Sequence, residues 1–97
     1  MAIHIVLWKF TDQGMKNIKE SPSRLDAGIK AFEAAGGKML GCYYTVGKYD
    51  LVTIGDIADE YAGTAHTLTM NMLGNVKSVT MRAFTPAEFS KVLAKIH

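Results

Sequence analysis

KMLGCYYTV (38–46), GKYD (47–50) and LVTIGDI (51–57) decide the fold of this chain. The two outer runs are short, rich in β-branched and aromatic residues, and bounded by turn-forming residues, which is the pattern of strands. The segment between them has room only for a tight connection, so the pair is expected to form an antiparallel hairpin. Gly36-Gly37 precedes the hairpin and Asp59 follows it. The glycines suit a helix end, because glycine accepts the left-handed backbone found there. Asp59 suits a helix start, because its carboxylate can accept a free backbone N–H. A hairpin set between two helices is the middle of a βαββαβ chain.

Upstream, Ser21-Pro22 marks the first main helix, with Ser21 as the expected cap and Pro22 at the first helical position. Leu25, Ile29, Phe32 and Gly36 follow at helical spacing. A shorter turn is expected over Met15 to Lys19. The first strand is IHIVLWKF (3–10), which Thr11-Asp12-Gln13-Gly14 breaks. Both of its alternating sets are mostly apolar, as in a central strand covered on two faces. Downstream, Tyr61, Ala65, Leu68 and Met72 form the expected buried stripe of the second helix, and Gly74-Asn75 ends it. Val76 to Phe84 is the fourth strand. Thr85-Pro86-Ala87-Glu88 has the spacing of a capping box before a last helix with Phe89, Val92, Leu93 and Ile96 on its apolar face. The expected fold is α+β: one ferredoxin-like domain over residues 1–97, a four-stranded antiparallel sheet with both main helices on one face and an added C-terminal helix.

Length and composition narrow the function. Ninety-seven residues allow one domain. Counting glycine and omitting tyrosine, the apolar share is roughly 53%, against about 45–50% for an ordinary soluble domain. The excess points to surface covered by another copy of the chain. The net charge is +2 and the basic residues stand singly, so no dense basic stripe marks a nucleic-acid partner. No apolar run approaches the roughly 20 residues of a membrane span, and Met1 to Ile5 lacks the basic start of a signal peptide. One cysteine, Cys42, leaves no internal disulfide, which fits the cytoplasm. His4, His66 and His97 have no metal-ligand spacing, and no glycine motif cradles a nucleotide, so neither metal nor cofactor is expected.

Function is expected on the sheet face that the helices leave open. Ile3, Ile5 and Leu7 with Val79, Met81 and Ala83 suit the helix side. That places His4, Val6, Trp8 and Phe10 with Ser78, Thr80, Arg82 and Phe84 on the open side. A face carrying Trp8, Phe10 and Phe84 is poorly suited to water. Arg82 is expected to pair with Asp50 or Asp56, or to bind an anion. Tyr43 and Tyr44 point to opposite faces. Asp50 is expected to hold the turn backbone, His66 to lie at the surface and Cys42 to be buried in its strand.

Four stretches together resemble the GYD domain family: Phe10-Thr11-Asp12-Gln13-Gly14, Ser21-Pro22, Tyr43 through Asp50, and Leu73-Gly74-Asn75-Val76 through Arg82-Ala83-Phe84-Thr85. The family's signature turn is matched by Gly47, Tyr49 and Asp50. His4, Trp8 and Cys42 depart from its pattern. The resemblance implies a dimeric α/β-barrel type of assembly and supplies no reaction. Three functions compete. The first is a homo-oligomer, dimer or higher, binding a small apolar or aromatic molecule through Trp8, Phe10, Tyr43, Thr80, Arg82 and Phe84. The second is a pure assembly module. The third is a cofactor-free enzyme of isomerase or monooxygenase type, with His4 as base, Tyr43 as donor and Arg82 as oxyanion stabiliser if the three converge.

Overall fold

The computed structural model describes residues 2–97. Strands β1 (Ile3–Phe10), β2 (Lys38–Tyr44), β3 (Leu51–Asp56) and β4 (Val76–Ala83) form one antiparallel sheet in the order β2-β3-β1-β4. The helices are α1 (Asp12–Lys16), α2 (Ser21–Ala34), α3 (Glu60–Met72) and α4 (Pro86–Leu93). Leu25 of α2 and Met70 of α3 both pack on a buried cluster of Val6, Trp8 and Leu51, so the two long helices share one face of the sheet. This is the expected ferredoxin-like α+β architecture. Among the described residues, no helix is long and apolar enough to cross a membrane.

Local chemistry sets most element ends. Asp59 accepts hydrogen bonds from the Tyr61 and Ala62 N–H groups and opens α3. Thr85 and Glu88 form the expected capping box at α4. Ser21 behaves differently from expectation. A 3-10 turn over Ile18–Glu20 runs straight into α2, so Ser21 is already helical and caps nothing. Its buried hydroxyl instead meets the Tyr44 hydroxyl at 3.0 Å, joining α2 to β2. β2 also stops short of Val46, and the hairpin connection widens to residues 45–50.

The sheet faces are reversed from the sequence expectation. Val6 and Trp8 point at the helices, in register with Thr53, Thr80, Leu51 and Ser78. The open face carries Ile3, Ile5 and Leu7, aligned with Ile54, Val52, Met81 and Val79. Two local demands explain this choice. The Trp8 indole N–H donates to the Thr53 hydroxyl at 2.9 Å, and a buried N–H without a partner costs about 1–3 kcal/mol. The Phe32 ring of α2 fills the hole above Gly55, where a Cβ would stand 2.9 Å from it. Both Thr53 and Gly55 therefore belong beneath the helices, and the alternation carries β1 with them.

The stripe on α3 is displaced as well. Tyr61 and Met72 are 91% and 83% exposed, and Leu68 is exposed too. The face turned to the sheet contains Gly63, His66, Thr67, Met70 and Asn71. Asn71 fixes that rotation by donating through its side-chain amide to the Ser78 hydroxyl on β4, at 2.9 Å. Gly63 fits closely against Ile57, leaving 2.9 Å for a Cβ.

A cleft between the helices and the sheet as candidate functional site

The helices do not seal the sheet beneath them. A cleft of about 670 Å³ runs between the two layers. Its floor comes from alternate residues of the central strands, among them Val6, Trp8 and Phe10 of β1, Thr53 of β3 and Thr80 of β4. Its roof comes from one stripe of α2, including Arg24, Leu25, Gly28 and Phe32, and from His66, Thr67 and Met70 of α3. Where the two helices meet, a glycine lets them approach closely. A Cβ on Gly28 would rest 3.4 Å from the Met70 sulfur.

Polar groups in the cleft are few and have distinct environments. The Trp8 and Thr53 pair is satisfied internally. His66 lies beside the Phe32 ring, with ring centres 5.3 Å apart, and burial pushes its imidazole below the usual histidine range. It is therefore a lining residue and not the surface residue expected from sequence. Arg24 lies in the second half of the first turn of α2. One guanidinium nitrogen, Nη1, donates to the Asn17 carbonyl at 3.0 Å. The other, Nη2, is shut off from solvent without a hydrogen-bond partner. Sequence reasoning passed over Arg24, Phe32 and His66 as site residues. A signal for Arg24 existed: Ser21, Arg24, Leu25 and Gly28 fall at helical spacing on one stripe.

The expected site residues divide between places. Trp8, Phe10 and Thr80 line the cleft instead of the open face. Tyr43 does lie on the open face, beside Gly41 and Ile54, and is 64% exposed. His4 lines the cleft on the other side of the sheet. Arg82 pairs with neither Asp50 nor Asp56: it donates to the carbonyls of Ile3 and Ala83 and covers the Phe84 ring, 4.3 Å from its centre. Phe84 in turn meets Phe89 of α4 edge-on. His4 and Tyr43 are thus separated by the sheet, and the proposed base, donor and oxyanion stabiliser do not share a cavity. Cys42 lies half-buried against the helix-side core, and burial pushes its thiol upward, away from thiolate chemistry.

The turn and loop motifs have a common destination. Asp50 does not hold its own turn through its side chain; its carboxylate accepts the Phe10 N–H at 2.8 Å, while its own N–H donates to the Trp8 carbonyl. Thr11 donates to the Gly74 carbonyl and its N–H reaches the Asn75 carbonyl. Gln13 donates to the Leu73 carbonyl and the Asn75 side chain. Residues 10–14, 47–50 and 73–75, far apart in sequence, are one hydrogen-bonded knot around the end of β1. Gly47, at φ 151°, makes the turn conformation possible within it. The Tyr49 carbonyl accepts the Thr45 hydroxyl at 2.7 Å and closes the turn.

A family model described as GYD domain matches residues 4–93. Two solved structures are similar to the chain. FFRP-DM1 is 15% identical, with a TM-score of 0.54 over 87% of this chain and 100% of that one. TTHA0845 from Thermus thermophilus is 22% identical, with a TM-score of 0.51 over 88% of this chain and 95% of that one. At these identities the likeness is one of fold. None of the curated proteins matches the chain.

Proposed function

The chain belongs to the GYD domain family, and on that premise we propose that it is a self-associating small-molecule binder. The cleft between helices and sheet holds a small apolar or aromatic molecule without turning it over, and the open sheet face packs against a second copy. The observation that carries the reading is the cleft itself. Its volume of about 670 Å³ falls within the roughly 300–1,000 Å³ of small-molecule sites. Its walls are mostly aliphatic and aromatic with a few polar groups, which is the composition such sites use. The knot at the end of β1 supports the scaffold that holds the cleft. A purely catalytic reading loses its support because His4 and Tyr43 occupy opposite sides of the sheet.

Self-association is supported by the open face. Leu7, Val52 and Val79 make one apolar row across it, and Ile5, Ile54 and Met81 the next. Face-to-face packing of two such sheets would give the dimeric barrel that the family resemblance implies. The lone, half-buried Cys42 suits a reducing cytoplasm. Native mass spectrometry of freshly purified protein tests both parts. The expected species has twice the 10.6 kDa chain mass, or a higher multiple, and carries a defined small adduct. A bare oligomer after incubation with a panel of apolar ligands would overturn the binding part. A stable monomer would overturn the assembly part.

A further inference from the structure

We propose that the cleft selects an uncharged aromatic alcohol: a phenol whose hydroxyl donates to the His66 imidazole and whose body runs between α2 and α3 toward Met70, Leu25 and Trp8. This rests on the cleft being a binding site and adds the chemistry of its occupant. The carrying observation is the state of the His66 side chain. It lines the cleft half-buried, with its ring beside that of Phe32. Its ring nitrogens have no hydrogen-bond partner among the described residues, and neither is closed off from solvent. Burial pushes the imidazole below the usual histidine range, so it is uncharged at neutral pH. A neutral imidazole carries one N–H donor and one bare nitrogen acceptor. An acceptor set among apolar walls is answered by an O–H donor, and a phenol brings that donor on a ring the walls accept.

Two contacts between the helices fix the direction of the body. Phe32 of α2 stands by His66 of α3, and Gly28, a turn earlier on α2, stands by Met70, a turn later on α3. The helices therefore run antiparallel along the cleft, and Leu25 follows over the cluster that holds Trp8. A ring seated at His66 has mostly apolar wall ahead of it for two turns of α2, roughly 11 Å. A charged head at His66 would go unpaired. Arg24 lies eight residues before Phe32, about 12 Å along α2, and its Nη1 is bonded to the Asn17 carbonyl. Glu60, the one carboxylate among the described lining residues, is exposed at the start of α3. His4 lines the floor at the same end as His66, paired across the sheet with Gly55 beneath the Phe32 ring. It is the rival acceptor, and the experiment separates the two.

The test compares 4-propylphenol with its methyl ether, 4-propylanisole, on the full chain at neutral pH. Binding is read from the fluorescence of Trp8, the single tryptophan, which lies in the cleft floor. The ether keeps the ring and the oxygen and lacks the O–H. The phenol is expected to bind about fivefold more tightly, the factor of one net hydrogen bond. His66→Leu is expected to bring the phenol down to the ether's affinity and leave the ether's unchanged. In the unmodified protein, the ring-nitrogen resonances of His66 are expected to move with the phenol and not with the ether, while those of His4 stay in place. Equal affinities for phenol and ether would overturn the alcohol assignment and leave the binding cleft standing. A preference that survives His66→Leu, or a shift at His4 alone, would overturn the role of His66. Failure of both probes to bind would overturn the cleft reading and this proposal with it. The resonances decide the question even if His66→Leu fails to fold.

Discussion

Gly14 has no room for a side chain, because a Cβ there would run into the Asn75 carbonyl oxygen. Backbone cannot yield as a flexible side chain would. Gly14→Ala is therefore expected to lower stability by at least about 2 kcal/mol, read as a lower urea midpoint. An unchanged midpoint would show that residues 14 and 75 do not approach so closely in solution. The glycine itself was legible in the sequence as a strand breaker, and the motif around it as a family feature. Its true constraint was not legible, because the atom it must accommodate belongs to a loop near the other end of the chain. Asp50 gives the same lesson. Its residue type fits a turn, and its place next to Tyr49 fits the family, yet its carboxylate serves the Phe10 N–H of another strand. Local spacing carries information about local partners only.

On a single element, the rotation of α3 and the side assignment of β1 depend on neighbours. Tyr61, Leu68 and Met72 make the more apolar stripe of α3, but the polar stripe containing His66, Thr67 and Asn71 faces the sheet. The Asn71 to Ser78 hydrogen bond and the small size of Gly63 outweigh hydrophobic periodicity there. The consequence is measurable through His66. Burial lowers its pKa in the fold below the ordinary value of about 6.5 that applies to the unfolded chain. As pH falls through that value, the unfolded chain takes up the proton first, so stability drops until folded His66 protonates as well. Urea midpoints are expected to fall below about pH 6.5, and His66→Gln to flatten that part of the profile. A slope unchanged in the variant would place the titration elsewhere. Glu88 acts in a separate, more acid window. The Thr85 N–H holds its carboxyl below the usual range, so its contribution is lost only as that carboxylate protonates.

Across the whole molecule, the open face and α4 remain uncovered within one chain. Phe89, Leu93 and Ile96 of the C-terminal segment are exposed, as are Val79 and Met81 on the sheet. Replacing an apolar residue at the centre of the open face with a charge tests whether that face joins two copies. Leu7→Glu is expected to convert the oligomer to a monomer by sedimentation velocity, since a buried unpaired carboxylate is strongly unfavourable. An oligomer of unchanged size would assign assembly to another surface. The element order, the capping box, Asp59 as a cap and the ferredoxin-like class were determined by the sequence alone. Each depends on residues within a turn or two of one another, where spacing and residue type suffice. The sequence also established that the sheet would be apolar on both faces, and that is why it could not assign them. With Ile3, Ile5 and Leu7 on one parity of β1 and Val6, Trp8 and Phe10 on the other, alternation separates two sets of side chains without saying which set meets the helices. Tertiary structure decided it through contacts between distant residues: Trp8 on Thr53, Phe32 over Gly55 and Asn71 on Ser78. Those contacts moved Trp8, Phe10 and Thr80 into the cleft and brought in Arg24, because a site between two layers exists only once the layers have met.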